Sequence, residues 1–177
     1  MRYRIRLART NEVRRLQTVE RAAAGIFREI DLAAVARDEP TPVWVLARAA
    51  RAGGLLVLDT EDEPAMGFAL VRELDGAAYL AEISVHPAWQ RHGLGARLID
   101  AVEDWAAKRG LPWLVLTTFR DVPWNAPYYR RLGFEPMADE ALGLGLATQL
   151  RGQREAWHAL GVRLALRRPV RNLRPAT

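Results

Sequence analysis

Six residues, Gln90-Arg91-His92-Gly93-Leu94-Gly95, set two positions without side chains between a break at Pro87 and a periodic apolar run. The residues before them, Ala81–His86, read as a buried strand through β-branched Ile83 and Val85. Those after them carry Leu94, Leu98, Ala101, Val102 and Trp105 at helical spacing. Gly110 stops that helix, with Lys108 and Arg109 in its last turn and Pro112 beyond. A strand feeding a glycine-bearing loop that opens a helix is a device for holding anions. The first amides of the helix lack partners within it, and its dipole leaves partial positive charge there. Gly93 and Gly95 let a bulky anion reach the backbone. The same spacing also serves a plain strand-to-helix turn, and on these residues alone both readings stand. The loop is neither a P-loop, which needs Gly-Lys-Ser/Thr after four residues, nor the three-glycine dinucleotide fingerprint.

The rest of the chain must supply a sheet to carry this loop. Tyr3–Ala8 alternates apolar residues with arginine, as a half-exposed strand does. Thr10 is placed to cap a helix over Asn11–Ile30, whose stripe is Val13, Leu16, Val19, Ala23, Ile26, Phe27 and Ile30. Pro40 and Pro42 open a second helix, Val43–Ala52, closed by Gly53-Gly54. Leu55–Asp59, Ala65–Glu73 and Ala77–His86 form a meander, with a turn at Glu61–Pro64 and a hairpin signal at Asp75-Gly76. Pro112–Phe119 is a compact apolar run, the mark of a strand covered on both faces. A short helix at Trp124–Leu132, a strand at Phe134–Met137, a helix at Thr148–Leu160 and a strand at Arg163–Arg167 follow. Ala77–His86 and Pro112–Phe119, joined through a helix, are expected to be parallel by right-handed crossover. Parallel strands that splay at their ends admit a ligand between them. The fold class is α/β (α+β): a mixed sheet of about six to seven strands with helices on both faces. One domain over residues 1–177 is expected, with 168–177 as a frayed tail.

A second stretch completes a pattern: Asn125-Ala126-Pro127-Tyr128-Tyr129-Arg130-Arg131-Leu132-Gly133-Phe134. Q-x-x-G-x-G after a strand, then an asparagine, an aromatic-Tyr pair and x-x-x-Gly-Phe, resembles the GNAT superfamily of N-acetyltransferases. The resemblance covers the whole order of elements and implies a splayed sheet that binds acetyl-CoA. It implies that backbone groups of Gln90, Arg91, His92, Gly93, Leu94, Gly95 and Ala96 hold the pyrophosphate. Ile83 and Val85 would pair with the pantetheine amides like an added strand. By the same resemblance Asn125 contacts the pantetheine arm, and Tyr129 protonates the departing thiolate. Tyr128 is the packing aromatic, although adjacency lets the two tyrosines exchange roles.

The implied reaction moves an acetyl group to a primary amine. A lysine-like amine, with a pKa near ~10.4, is protonated at neutral pH, so a base must take its proton. Glu82, in the strand beside the loop, is the candidate; the alternative is a structural carboxylate paired with an arginine. Amides near Val85 are the candidate oxyanion donors. Arg91 and Arg97 either assist with phosphates or are solvated surface. Trp124 and Phe119 either line the acceptor pocket or pack the core. The alternative function is a non-catalytic acyl-CoA sensor or scaffold.

Composition narrows the classes further. The chain has 177 residues, a formal charge of +5 and no cysteine, which leaves no disulfide, thiolate nucleophile or cysteine metal site. His86, His92 and His158 lie far apart without ligand spacing, so no metal is expected. No apolar run approaches the roughly 18 residues of a membrane helix, and the N-terminus lacks a signal-peptide block. A cytoplasmic protein without a membrane partner is the reading. The charge suits a polyanion, but the aromatic and basic interleaving of a nucleic-acid sheet is missing, and no nucleic acid is expected. The expected partner is a small-molecule or peptide amine acceptor; a homodimer is left open.

Overall fold

Segments of period two and period 3.6 alternate along the chain, and the computed structural model, which describes residues 3–30, 32–63 and 65–171, folds them accordingly. Among the described residues are seven strands: β1 (Arg4–Leu7), β2 (Leu55–Asp59), β3 (Gly67–Leu74), β4 (Ala77–Val85), β5 (Trp113–Phe119), β6 (Glu135–Pro136) and β7 (Arg163–Pro169). Six α-helices accompany them: α1 (Val13–Ala24), α2 (Ala33–Ala36), α3 (Val43–Arg51), α4 (Leu94–Ala107), α5 (Ala126–Arg131) and α6 (Leu144–Ala156). The strands make one open mixed sheet in the order β1-β2-β3-β4-β5-β7-β6. β4 and β5 are parallel, as the crossover requires, in a register from Ala78–Leu114 to Leu80–Leu116. Both strands run on past that register, β4 to Val85 and β5 to Phe119.

The chain divides into two compact units: residues up to Arg72 with Glu82–Val102, and Glu73–Ala81 with the residues from Glu103 onward. In the first, β2 is buried along its whole length. Leu16, Leu46, Phe68, Leu98 and Ile99 have no solvent exposure, and each such side chain contributes about 1.5–3 kcal/mol by leaving water. The arginines of β1 converge on Asp59: Arg4 Nε lies 2.9 Å from one carboxylate oxygen and Arg6 Nη2 2.7 Å from the other. Asp59 can be buried because two guanidiniums neutralise it.

In the second unit Leu146 and Leu150 of α6 pack on Ala77 and Tyr79 of β4, Val115 of β5 and Ala165 of β7. Asp75 and Gly76 have φ of 51° and 72°, the doubly left-handed pair of a tight hairpin. From that turn the Asp75 carboxylate accepts the Gly145 and Leu146 amides at 3.1 and 2.8 Å, capping α6 from seventy residues away. A Cβ at Gly143 would come within 2.5 Å of Asp75, and one at Gly145 would meet the side chains of Leu74 and Asp75.

Several expected boundaries are corrected. The Asn11–Ile30 helix is regular only over Val13–Ala24, with tighter 3₁₀ turns at Thr10–Glu12 and Gly25–Ile30; Arg9, not Thr10, holds the cap position. Gly25, with its high backbone entropy, marks the change of winding. The helix expected at Thr148–Leu160 runs Leu144–Ala156, because its start is set by Asp75. The helix Val43–Ala52 ends at Arg51 and Trp124–Leu132 shortens to Ala126–Arg131. The strand Phe134–Met137 is reduced to Glu135–Pro136, and Ala33–Ala36 is an additional helical turn. The tail does not begin at 168: β7 continues to Pro169, and Arg168 is buried in an ion pair with Glu103 at 2.7 Å. Pro64 of the expected Glu61–Pro64 turn, and 172–177 of the expected tail, lie outside the described residues.

Candidate functional site

β4 leaves the core as it nears the loop: burial is complete over Ala77–Leu80, in the second unit, and partial at Glu82, Ile83 and Val85, in the first. Alternation puts Glu82 and Ser84 on one face, Ile83 and Val85 on the other. The buried Ser84 hydroxyl donates to Glu82 Oε1 at 2.8 Å. A bond donated to a carboxylate favours its charged form, the form a base must have.

The chain then turns through Pro87–Trp89 into the loop. Gln90 reaches back, its Nε2 donating to the Val85 carbonyl at 2.9 Å, and so ties the loop to the strand end. Arg91 and Gly93 both take left-handed backbone conformations, φ 64° and 72°, on either side of His92. Left-handed residues interleaved with others are the backbone pattern from which anion-binding nests are built. α4 follows at once, anchored by buried Leu94 and Leu98, and adds the positive end of a 14-residue helix. A Cβ at Gly93 would meet no atom within 4 Å, so the space beside the loop is open and only φ excludes a side chain there. Gly95 and Ala96 lie half-buried in the first turn of α4; Arg97 is exposed, its guanidinium 5.7 Å from the Tyr3 ring. The helix start and the open space beside Gly93 are the features on which an anion-binding reading rests.

In the second unit Asn125 precedes α5 and its carbonyl accepts the Tyr129 amide at 3.0 Å. The Tyr129 ring stands edge-on to Tyr128 on one side, 5.5 Å between centroids, and to Phe134 on the other, 5.6 Å. Gly133, φ 84°, brings Phe134 back so that its amide bonds the Tyr129 carbonyl at 3.1 Å. Behind Phe134 stands Arg168, 5.0 Å from the ring, donating to the Leu132 carbonyl at 2.9 Å and paired with buried Glu103. Burial alone would push the Glu103 carboxyl up, but the hydrogen bonds of Arg171 and the charges of Arg168 and Arg171 hold it below the usual carboxylate range. Phe119 carries the Arg163 guanidinium over its ring at 4.6 Å and meets Trp157 edge-on.

The residues picked out from the sequence thus fall into two sets. Glu82, Ile83, Val85 and Gln90–Ala96 belong to the first unit, linked directly by the Gln90–Val85 bond; Asn125, Tyr128 and Tyr129 belong to the second. Sequence reasoning missed Ser84, although its place two residues beyond Glu82 on a strand was readable. It also missed the Glu103–Arg168 pair, which has no local signal at a separation of 65 residues. Among the described residues no group of three or more His, Cys, Asp or Glu side chains is placed to hold a metal ion. No helix of the described residues is long and apolar enough to cross a membrane.

A family model described as the acetyltransferase (GNAT) family matches residues 15–134. Solved structures share the fold. A GNAT-family acetyltransferase from Staphylococcus aureus Mu50 superposes with a TM-score of 0.72 at 12% identity, covering 96% of this chain and 100% of that one. PaiA N-acetyltransferase from Thermoplasma acidophilum, in complex with coenzyme A, gives 0.69 at 15% identity over 96% and 99%. N-acetylglutamate synthase from Neisseria gonorrhoeae, complexed with coenzyme A and N-acetyl-glutamate, gives 0.69 at 14% identity over 96% of this chain and 35% of that one. This chain therefore spans about a third of the length of that synthase. At such identities the likeness is one of fold.

Proposed function

The chain belongs to the acetyltransferase (GNAT) family, and from that premise we propose that it is, as a single domain, an N-acetyltransferase acting from acetyl-CoA on a primary amine by direct attack. The observation that carries this reading is the left-handed Arg91 and Gly93 pair with open space beside it at the head of α4. The amides of Gln90–Ala96 hold the diphosphate; the backbone of Ile83 and Val85 pairs with the pantetheine arm like an added strand, and Asn125 contacts it.

At pH 7 about one lysine-like amine in 2,500 is neutral, so proton removal precedes attack. Glu82, which accepts the Ser84 hydroxyl, takes that proton directly or through a water. The nitrogen then bonds the acetyl carbon, the carbon–sulfur bond breaks, and the thiolate leaves. A thiol pKa of roughly 8.5 makes it a tolerable leaving group, so protonation by Tyr129 assists the step without being essential. The ring of Tyr129, held between Tyr128 and Phe134, is suited to that task.

The acceptor is a small-molecule or peptide amine. The panel is aminoglycosides, polyamines, amino acids and N-terminal peptides, and the N-acetyl-glutamate in the gonococcal structure adds weight to amino acids. Thiol release from acetyl-CoA against that panel, with calorimetric titration of acetyl-CoA, tests the proposal. Amine-dependent release together with binding supports it. Binding without release from any amine would make the chain an acyl-CoA-binding sensor instead, and absence of binding would overturn both.

A further inference from the structure

His92 sits between the two left-handed residues of the loop, and its ring does something the motif does not require. Its Nδ1 lies 2.8 Å from the Gln90 carbonyl oxygen and 3.3 Å from that of Trp89. Carbonyl oxygens only accept, so Nδ1 must carry the proton, whether the ring is neutral or an imidazolium. His86, six residues earlier, has the opposite role: its Nδ1 accepts from the Ala88 amide.

The consequence lies in the peptide plane. In a trans peptide the carbonyl of Gln90 and the N–H of Arg91 point in opposite directions. A carbonyl tied back to the His92 ring therefore turns the Arg91 amide the other way, and turns a partial negative charge out of the path of an approaching phosphate. Arg91 pays for this geometry with a left-handed conformation unusual outside glycine. Two side-chain bonds hold the strained loop in place: Gln90 to Val85 on the strand side and His92 to Gln90 on the helix side.

We propose that His92 is a positioning residue for acyl-donor binding, fixing the Gln90–Arg91 peptide so that the loop amides are set for the diphosphate before it arrives. This rests on the reading of the loop as the acetyl-CoA site. It assigns to the His92 side chain a part distinct from that of the loop backbone.

The test uses the full chain and three variants, His92→Ala, His92→Asn and His92→Gln, titrated calorimetrically with acetyl-CoA. Nitrogen-15 spectra of the wild-type imidazole rings without ligand accompany them. Asn puts an amide donor where Nδ1 stands, whereas Gln puts one where Nε2 stands. The ring proton of His92 is expected on Nδ1 and that of neutral His86 on Nε2. His92→Ala should bind acetyl-CoA about three- to tenfold more weakly, the worth of one hydrogen bond. His92→Asn should restore most of the loss and His92→Gln should not. Wild-type affinity in His92→Ala, equal behaviour of Asn and Gln, or a proton on Nε2 of neutral His92 would each overturn the proposal and leave the acetyl-CoA reading standing. An affinity that Asn fails to restore and that climbs with acid would make His92 a direct phosphate partner, which also overturns it. Failure of the wild type to bind acetyl-CoA would remove the site and this role together.

Discussion

On the proposed reading, the hydrogen bond between Ser84 and Glu82 bears on the base. The hydroxyl 2.8 Å from Glu82 Oε1 favours the charged carboxylate, which is what proton abstraction needs at neutral pH. Glu82→Gln should lower kcat/KM about 100-fold or more at pH 7, and less at pH 9, where more of the amine is already neutral. A constant ratio of variant to wild-type rates across that range would remove Glu82 from the role. Tyr129→Phe should cost only a few-fold in kcat, since the leaving thiolate is stable on its own. Glu20 presents the opposite electrostatics. Its Oε1 accepts the Thr41 amide and hydroxyl at 3.0 and 2.9 Å, while Oε2 is buried with no hydrogen-bond partner among the described residues. Burial pushes its carboxyl up, and the Thr41 bonds offset this only in part. The folded protein thus holds the proton more tightly than the unfolded chain, whose value is near ~4.3. That contribution is complete below the unfolded value and is lost as the pH rises towards the folded one. The stability advantage of wild type over Glu20→Gln should therefore shrink from pH 4 to pH 7 in urea titrations, and an advantage that grew would refute the assignment.

The helices and strands are joined by caps that local sequence does not announce. α6 starts at Leu144 because Asp75, at the tip of the β3–β4 hairpin, offers both carboxylate oxygens to its first amides. Asp75→Ala should cost about 1 kcal/mol, read as a lowered melting temperature, because those amides lose a capping partner. Gly145→Ala should destabilise as well, by about 1–3 kcal/mol, since the new methyl would press on Asp75 and on the side chain of Leu74. If Gly145→Ala were neutral in the wild type, the close approach of hairpin and helix would be wrong. Leu150, a wholly buried residue of the same helix, anchors α6 to β4, β5 and β7 by area rather than direction.

Across the whole molecule a formal charge of +5 is distributed less freely than the composition suggests. Arg4 and Arg6 engage Asp59, Arg154 engages Asp139, and Arg168 and Arg171 converge on Glu103. The last cluster fastens the end of β7, and with it the ring of Phe134 that flanks Tyr129. Removing one member of a buried pair leaves the other uncompensated, so Glu103→Ala should destabilise by about 3–5 kcal/mol. Here the folded carboxyl lies below its unfolded value, so its contribution is present above the unfolded value and disappears as the pH falls through the folded one. The gap between wild type and Glu103→Ala should accordingly close in acid; a gap independent of pH would mean that packing, not charge, holds the cluster. Tyr129→Phe and Glu103→Ala together test whether this anchoring reaches the reaction: loss of kcat in the second beyond its loss of stability would say that it does.

Much of this was written in short-range pattern. The strand–glycine–helix order of Ala81–Gly110, the Asp75-Gly76 hairpin and the parallel run Pro112–Phe119 follow from side-chain period and backbone preference, which act between neighbours in the chain. The residues placed at the loop, from Gln90 to Ala96, were legible for the same reason. Hydrogen bonds between distant residues were not. The start of α6, the ordering of β7 to Pro169 and the pairing of Glu103 with Arg168 depend on partners 65 to 71 residues away. Nothing in a local window encodes which carboxylate will meet which amide or guanidinium, because that meeting exists only once the sheet has assembled. The ring of His92 turning on its own loop lies between the two cases: its partners are adjacent in sequence, but the left-handed φ of Arg91 between them appears only in the folded backbone.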